Sequence, residues 1–104
     1  MSIDRLFATI AARKGSDPSK SYTAKLLAEG VEKCAKKFGE EATEAVIAAI
    51  QKDKTELAKE SADVLYHLLV LWAASGITPQ DVYAVLISRE GQSGLDEKAA
   101  RTKG

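Results

Sequence analysis

Residues 31–75 read VEKCAKKFGEEATEAVIAAIQKDKTELAKESADVLYHLLVLWAAS, and this stretch decides the fold. From Val31 to about Gln51 the apolar positions 31, 34, 35, 38, 42, 45, 46 and 49 follow the i, i+3, i+4, i+7 stripe of an amphipathic helix. Asp53 and Glu56 then make an Asp-x-x-Glu capping signal for a second helix, which ends near Ser75 with Gly76 as its stop. One short turn separates the two, so they are expected to fold back antiparallel. Ala58, Ala62, Leu65, Leu69 and Trp72 mark one apolar face of the second helix, and from Val64 onward it is apolar nearly all round, which places it centrally between neighbours.

Four carboxylates stand out on these helices. Glu41 and Glu44 lie in GEEATEAV, and Glu60 and Asp63 in KESADVLYHLL, two acidic pairs with i, i+3 spacing. At about 100° per residue, Glu41 falls on the flank of its apolar stripe and Glu44 about 60° further round. Glu60, Asp63 and His67 line the side of the second helix opposite its apolar face, a side that must face protein or an enclosed cleft. An antiparallel pair would gather the four acids around one point with no Lys or Arg between them. A hard divalent cation such as Mg²⁺ suits such a point, because it takes carboxylate oxygens and leaves room for phosphate and water. The competing reading is a solvated acidic surface, the usual fate of Glu and Asp on helices. Glu41, Glu44 and Asp63 lack a basic residue at i+4, which counts against it; Glu60, with Lys59 and Glu56 nearby, is individually the weakest of the four.

Several neighbours carry secondary expectations. His67 is read as a hydrogen-bonded core residue ahead of a ligand or base. Gly39, unfavourable inside a helix, suggests close approach of backbone or ligand, with a helix irregularity as an equal contender. Lys33, Lys36 and Lys37 precede the acids by a turn or two and would either grip phosphate oxygens or form a solvated basic face. Lys33 and Lys37 share the side nearest the acids, and Lys36 points elsewhere.

The flanks complete an all-helical domain. Ile3, Leu6, Phe7 and Ile10 form a first amphipathic helix with Ser2 as N-cap; GSDPSK at 15–20 is a loop, and Ser21 caps SYTAKLLAEG. Thr78-Pro79-Gln80-Asp81 starts a fifth helix that runs to about Arg89, and a Gly91-Gln92-Ser93-Gly94 break precedes a polar tail expected to be partly ordered. Overall the expectation is an all-α, compact bundle of about five helices, one domain over residues 1–104, with its active site between antiparallel helices. Fifteen basic and fifteen acidic side chains cancel, which argues against a general nucleic-acid or membrane binder and confines any phosphate recognition to a local field. The single cysteine, Cys34, is read as a buried thiol in a reducing compartment, and with neither a secretory signal nor a membrane span in the sequence the expected location is cytoplasmic.

IDRLFATIAARKG, SYTAKLL, KKFGEEATEAVIAAI, KESADVLYHLLVLWAASGI and the terminal SGLDEKAAR together resemble the phosphoribosyl-ATP pyrophosphatase family of histidine biosynthesis, within the all-α, MazG-like nucleotide pyrophosphohydrolases. The most specific part is GEEATE joined to ADVLYHLLVL. The resemblance implies Mg²⁺-dependent hydrolysis of the α,β-phosphoanhydride of phosphoribosyl-ATP, giving phosphoribosyl-AMP and pyrophosphate. It implies that Glu41, Glu44, Glu60 and Asp63 hold the metal, with catalytic work at Glu41 and at Glu40, the candidate for orienting or deprotonating the attacking water. Lys33 and Lys37 would bind the substrate. It further implies a homodimer and, at this length, a monofunctional form without the cyclohydrolase fused to many family members. Two other readings stay open: a house-cleaning pyrophosphohydrolase of another nucleoside triphosphate, and a non-catalytic helical dimerisation module.

Overall fold

The computed structural model of the protein describes residues 1–91; most of the predicted 91–94 break and the SGLDEKAAR segment lie outside the described residues. Five helices form, with no strand among the described residues: α1 (Ile3–Ala11), α2 (Tyr22–Glu29), α3 (Val31–Ile50), α4 (Lys54–Ser75) and α5 (Pro79–Ser88). The starts of α1, α2, α4 and α5 are set by the predicted caps, while α3 begins after Gly30 without a side-chain cap. Ser2 accepts from the Arg5 amide, Ser21 from the Ala24 amide and Asp53 from the Glu56 amide. At α5 the Thr78 hydroxyl and Asp81 carboxylate satisfy each other's backbone amides around Pro79, a complete capping box. Each such cap is worth about 1 kcal/mol.

Helices α3 and α4 are the main packing pair and form a hairpin. Its turn closes with Lys52 donating to the Ala49 carbonyl and Asp53 to the Ala48 carbonyl, both at 3.1 Å. Lys52 holds the left-handed conformation (φ 59°) that glycine would adopt more cheaply. The core lies at the other end of the hairpin. Ile10, Leu26, Cys34, Leu69 and Val70 are its buried centre, with Leu6, Phe7, Leu27, Tyr66 and Trp72 packed against it. The Cys34 thiol is buried and donates to the Leu26 carbonyl at 3.3 Å. From α2, Thr23 hydrogen-bonds the Tyr66 hydroxyl of α4. Helix α5 reaches back to α1, where Tyr83 and Gln80 both donate to Asp4.

The inward faces differ from the stripes read in the sequence. On α3 the buried positions are Cys34 and Ala48, and between them Phe38, Glu41, Ala42 and Ala45 are half-buried, whereas Val31, Ala35, Val46 and Ala49 are exposed. On α4 the seam runs Glu60, Asp63, His67, Val70; of the expected apolar face, Leu69 and Trp72 join the core while Ala58, Ala62 and Leu65 are exposed. Cys34, Glu41 and Ala48 are spaced by sevens, as are Glu60 and His67. These are the spacings that keep residues on a helix–helix seam. The pairing face therefore carries charge at the middle of α3 and in the first half of α4, while several apolar residues of both helices are left for another surface.

Among the described residues no single helix is long and apolar enough to cross a membrane.

Gly39 departs from expectation. It sits in regular, exposed helix, and a methyl group added there would meet nothing within 4 Å, so no backbone approaches it. Replacing Gly39 with Ala should therefore raise the stability of the protein by about 1 kcal/mol through helix propensity alone. Urea unfolding at fixed protein concentration measures it; a loss of stability would mean that the helix needs glycine for a reason the packing does not contain.

Candidate metal centre

The charged stretch of the hairpin seam is where the site lies. One carboxylate oxygen each from Glu41, Glu60 and Asp63 fall within 4.8 Å of one another. Oxygens sharing one Mg²⁺ at about 2.1 Å are about 3–4 Å apart, so the three need only rotamer-scale closure to bind one ion. Glu44, the fourth predicted ligand, is not in that mutual group. Its exposed side chain lies beside it, close enough to act on both the Glu41 and the Glu60 carboxyls.

Glu60 is the group that most needs a cation. It was the weakest of the four in the sequence, yet only 8 % of it is exposed, and its Oε2 is buried without a hydrogen-bond partner. Around it lies a cavity of about 230 Å³ lined by Glu44, Ile47, Ala48, Gln51 and Glu56 as well as Glu60 itself. The carboxyl of Glu56 reaches Glu60 directly, then burial and Glu44 add to its effect, and together they push the Glu60 carboxyl up to about 7. Burial, followed by the charge and hydrogen bonding of Glu44, raises Glu41 as well. A buried carboxylate facing only other carboxylates must keep a proton or meet a cation. The donor set is all oxygen, the chemistry of Mg²⁺ rather than of zinc or copper. The residues present fit the metal.

Glu56 was read in the sequence as a helix-capping acid and as a neighbour that weakened the case for Glu60. It does stand in the first turn of α4, and its side chain also reaches one turn along to Glu60, an i, i+4 relation that was legible but had no partner to give it meaning. His67 behaves as expected. It is buried, its Nδ1 lies 2.9 Å from the Asp63 carbonyl, and its ring meets Tyr66 edge-on.

Glu40 is not brought into the acid group. Its carboxylate is exposed and accepts from Lys37 Nζ at 3.2 Å. Lys33 and Lys37 line one cavity together with Tyr22, Lys25, Leu26 and Glu29 from α2, while Lys36 is absent from that lining. Tyr22 is the residue the sequence reading missed. Its hydroxyl is 3.5 Å from His67 Nε2, and its field and that of Lys37 both reach Glu41. Nothing in the local sequence SYTAKLL points there, because the contact is made across 45 residues.

Residues 3–90 match the family model described as phosphoribosyl-ATP pyrophosphohydrolase. Over 99 residues, 95 % of this chain and 96 % of the relative, the sequence is 62 % identical to a phosphoribosyl-ATP pyrophosphatase of Cereibacter sphaeroides (strain ATCC 17029). It is 65 % identical to the protein of that name from Parvibaculum lavamentivorans, across 95 % of this chain and 91 % of the relative. The corresponding figure for Ruegeria pomeroyi is 62 %, covering 95 % and 94 %.

The raised proton affinity of Glu60 has a direct thermodynamic readout. The folded protein holds this proton more tightly than the unfolded chain does, so the contribution to stability is fully present below about pH 4.5 and is lost as pH rises through about 7. Metal-free protein should melt at a lower temperature at pH 8 than at pH 5.5. Glu60→Gln should flatten this difference, and added Mg²⁺ should raise the melting temperature more at pH 8 than at pH 5.5. Thermal melts of both proteins, with chelator and with Mg²⁺, provide the check, and an identical pH slope in the two metal-free proteins would remove Glu60 as its source.

Proposed function

This chain belongs to the phosphoribosyl-ATP pyrophosphohydrolase family, and from that premise we infer that it hydrolyses phosphoribosyl-ATP to phosphoribosyl-AMP and pyrophosphate, the second step of histidine biosynthesis, in the cytoplasm. The observation that carries the reading is the buried, unpartnered Glu60 oxygen set among the carboxylates of Glu41 and Asp63. A solvated acidic face or a purely structural module has no use for it. Glu41, Glu60 and Asp63 would hold Mg²⁺, with Glu44 at their side. When bound, the metal would neutralise the anhydride, polarise its phosphoryl group and lower the pKa of water.

The remaining work falls to the chain's own groups. Lys33 and Lys37 bind substrate phosphate from the neighbouring cavity. Glu40, tethered by Lys37 on the rim of the site, is the candidate to orient the attacking water or take its proton, and Glu41 shares that role from within the cluster. His67 fixes the Asp63 turn from behind through the backbone carbonyl, which keeps the α4 side of the site rigid.

Activity should require a divalent metal. Substituting even an indirect partner of a metal ligand typically costs ten- to a hundredfold, so Glu41→Gln and Asp63→Asn should each lower kcat/KM on phosphoribosyl-ATP by on the order of a hundredfold or more with the helical fold intact. Because each substitution also relieves charge repulsion, the metal-free variants should be no less stable than the parent. Turnover assays, run beside circular dichroism and with ordinary nucleoside triphosphates as competing substrates, measure this. Unchanged turnover in either variant would remove the assigned site, and faster turnover of an ordinary triphosphate would favour the house-cleaning reading.

The same fold supports a homodimer. Beyond the core, the hairpin exposes Val46, Ile47 and Ile50 on α3 and Ala58, Ala62 and Leu65 on α4, with Ile50 74 % accessible. A contiguous apolar surface of this kind is an association site. Light scattering at micromolar concentration should report a dimer, and Ile50→Asp should shift it toward monomer; a stable monomer from the unaltered protein would end the proposal.

A further inference from the structure

The cavity between α2 and α3 has the opposite character to the acid centre beside it. It measures about 170 Å³ and is lined by Tyr22, Lys25, Leu26, Glu29, Lys33 and Lys37. Three ammonium groups against one carboxylate leave an excess of two positive charges. The lysines are not spent on one another's neighbours. Lys37 is paired with Glu40, but among the described residues neither Lys25 nor Lys33 has a carboxylate within ion-pair distance, although Glu29 stands four residues from each. With Glu40 set against Lys37 the local excess is one positive charge, and two ammonium groups outside any ion pair on a concave surface suit an anion such as a terminal phosphate.

Tyr22 links this cavity to the acid centre through His67. His67 Nδ1 faces the Asp63 carbonyl and must donate to it, so Nε2 is left as an acceptor and the Tyr22 hydroxyl turns its proton toward that nitrogen. The ring, half exposed and edge-on to His67, lines the lysine cavity, and its hydroxyl lies within the fields of both Lys37 and Glu41. A divalent cation is repelled on the lysine side and a bare phosphate on the acid side.

We propose that Lys25, Lys33 and Lys37, walled by Tyr22, form a metal-free subsite for a terminal phosphate of the substrate, separate from the carboxylates that act on the anhydride. The proposal rests on the functional reading above and adds Lys25 and Tyr22 to the binding machinery. Phosphoribosyl-ATP has two terminal phosphates, the γ-phosphate and the 5-phosphate of its second ribose. An ordinary nucleoside triphosphate has only the first, so occupancy by the second would make this cavity the determinant of substrate choice.

Binding of ribose 5-phosphate and of pyrophosphate, measured by calorimetry in the presence of chelator, tests the subsite without the metal or the reaction. At least one of them should bind the unaltered protein. Lys25→Ala and Lys33→Ala should each weaken that binding about tenfold, the loss of one charge-assisted contact, whereas Lys36→Ala should leave it unchanged. The same two variants should raise KM for phosphoribosyl-ATP with little change in kcat. Lysine-dependent binding of ribose 5-phosphate assigns the cavity to the second ribose; lysine-dependent binding of pyrophosphate alone assigns it to the γ-phosphate. Binding of neither probe, or equal effects of Lys25→Ala and Lys36→Ala, would overturn the subsite. Should the unaltered protein fail to turn over phosphoribosyl-ATP yet bind ribose 5-phosphate through Lys25, the functional reading falls and the subsite stands.

Discussion

Like charges placed on the inner seam of one helical hairpin constrain everything else in this protein. Glu41, Glu60 and Asp63 occupy positions that in an ordinary helix pair would hold leucine or valine, and they do so without a basic partner among them. Bringing carboxylates together and out of water is unfavourable. The packing at one end of the hairpin must therefore hold the helices in place against that repulsion. Ile10, Leu26, Cys34, Leu69 and Val70, supplied by four different helices, do this. The acid cluster is thus an electrostatically unfavourable arrangement kept in register by a core located elsewhere, and a cation bound there would relieve it.

The same arrangement accounts for the bare surface. With part of the seam carrying acid, Val46, Ile47 and Ile50 of α3 and Leu65 of α4 stand exposed on the hairpin. The turn at Lys52 folds without glycine, so the hairpin depends on contacts along its length and not on its tip. A second chain against the outer face would bury Val46, Ile50 and Leu65 and stiffen the helices that present the acids. Stability, assembly and metal binding would then be properties of one hairpin and not of separate regions.

Electrostatic neutrality over the whole chain conceals two opposed local fields a helical turn apart. Lys37 sits on the boundary: it pairs with Glu40, lines the lysine cavity and lies near Glu41. Tyr22 and His67 maintain that boundary through α2 and α4, the helices bridged again by Thr23 and Tyr66. On the proposed reading, an anionic substrate would meet a positive cavity beside an acidic one that a metal would neutralise.

Local interactions made much of this readable from the chain alone. Caps at Ser2, Ser21, Asp53 and Thr78 are satisfied by amides three residues away, so the helix starts follow from short-range chemistry. The acid pairs were legible because i, i+3 spacing places both members on one side of a helix whatever it packs against. The membership of GEEATE and ADVLYHLLVL in one family pointed to the same four acids. Which side of each helix faces inward was not legible, since apolar residues on α3 and α4 serve two surfaces and periodicity does not say which partner each one meets. For that reason Glu60 ranked last in the sequence and proved the most buried, and Gly39 suggested a close approach where the surroundings are open. Tyr22 and Lys25 acquire their roles only from neighbours brought close by folding. Spacing along one helix belongs to the sequence; proximity between helices is decided by the packing of the whole.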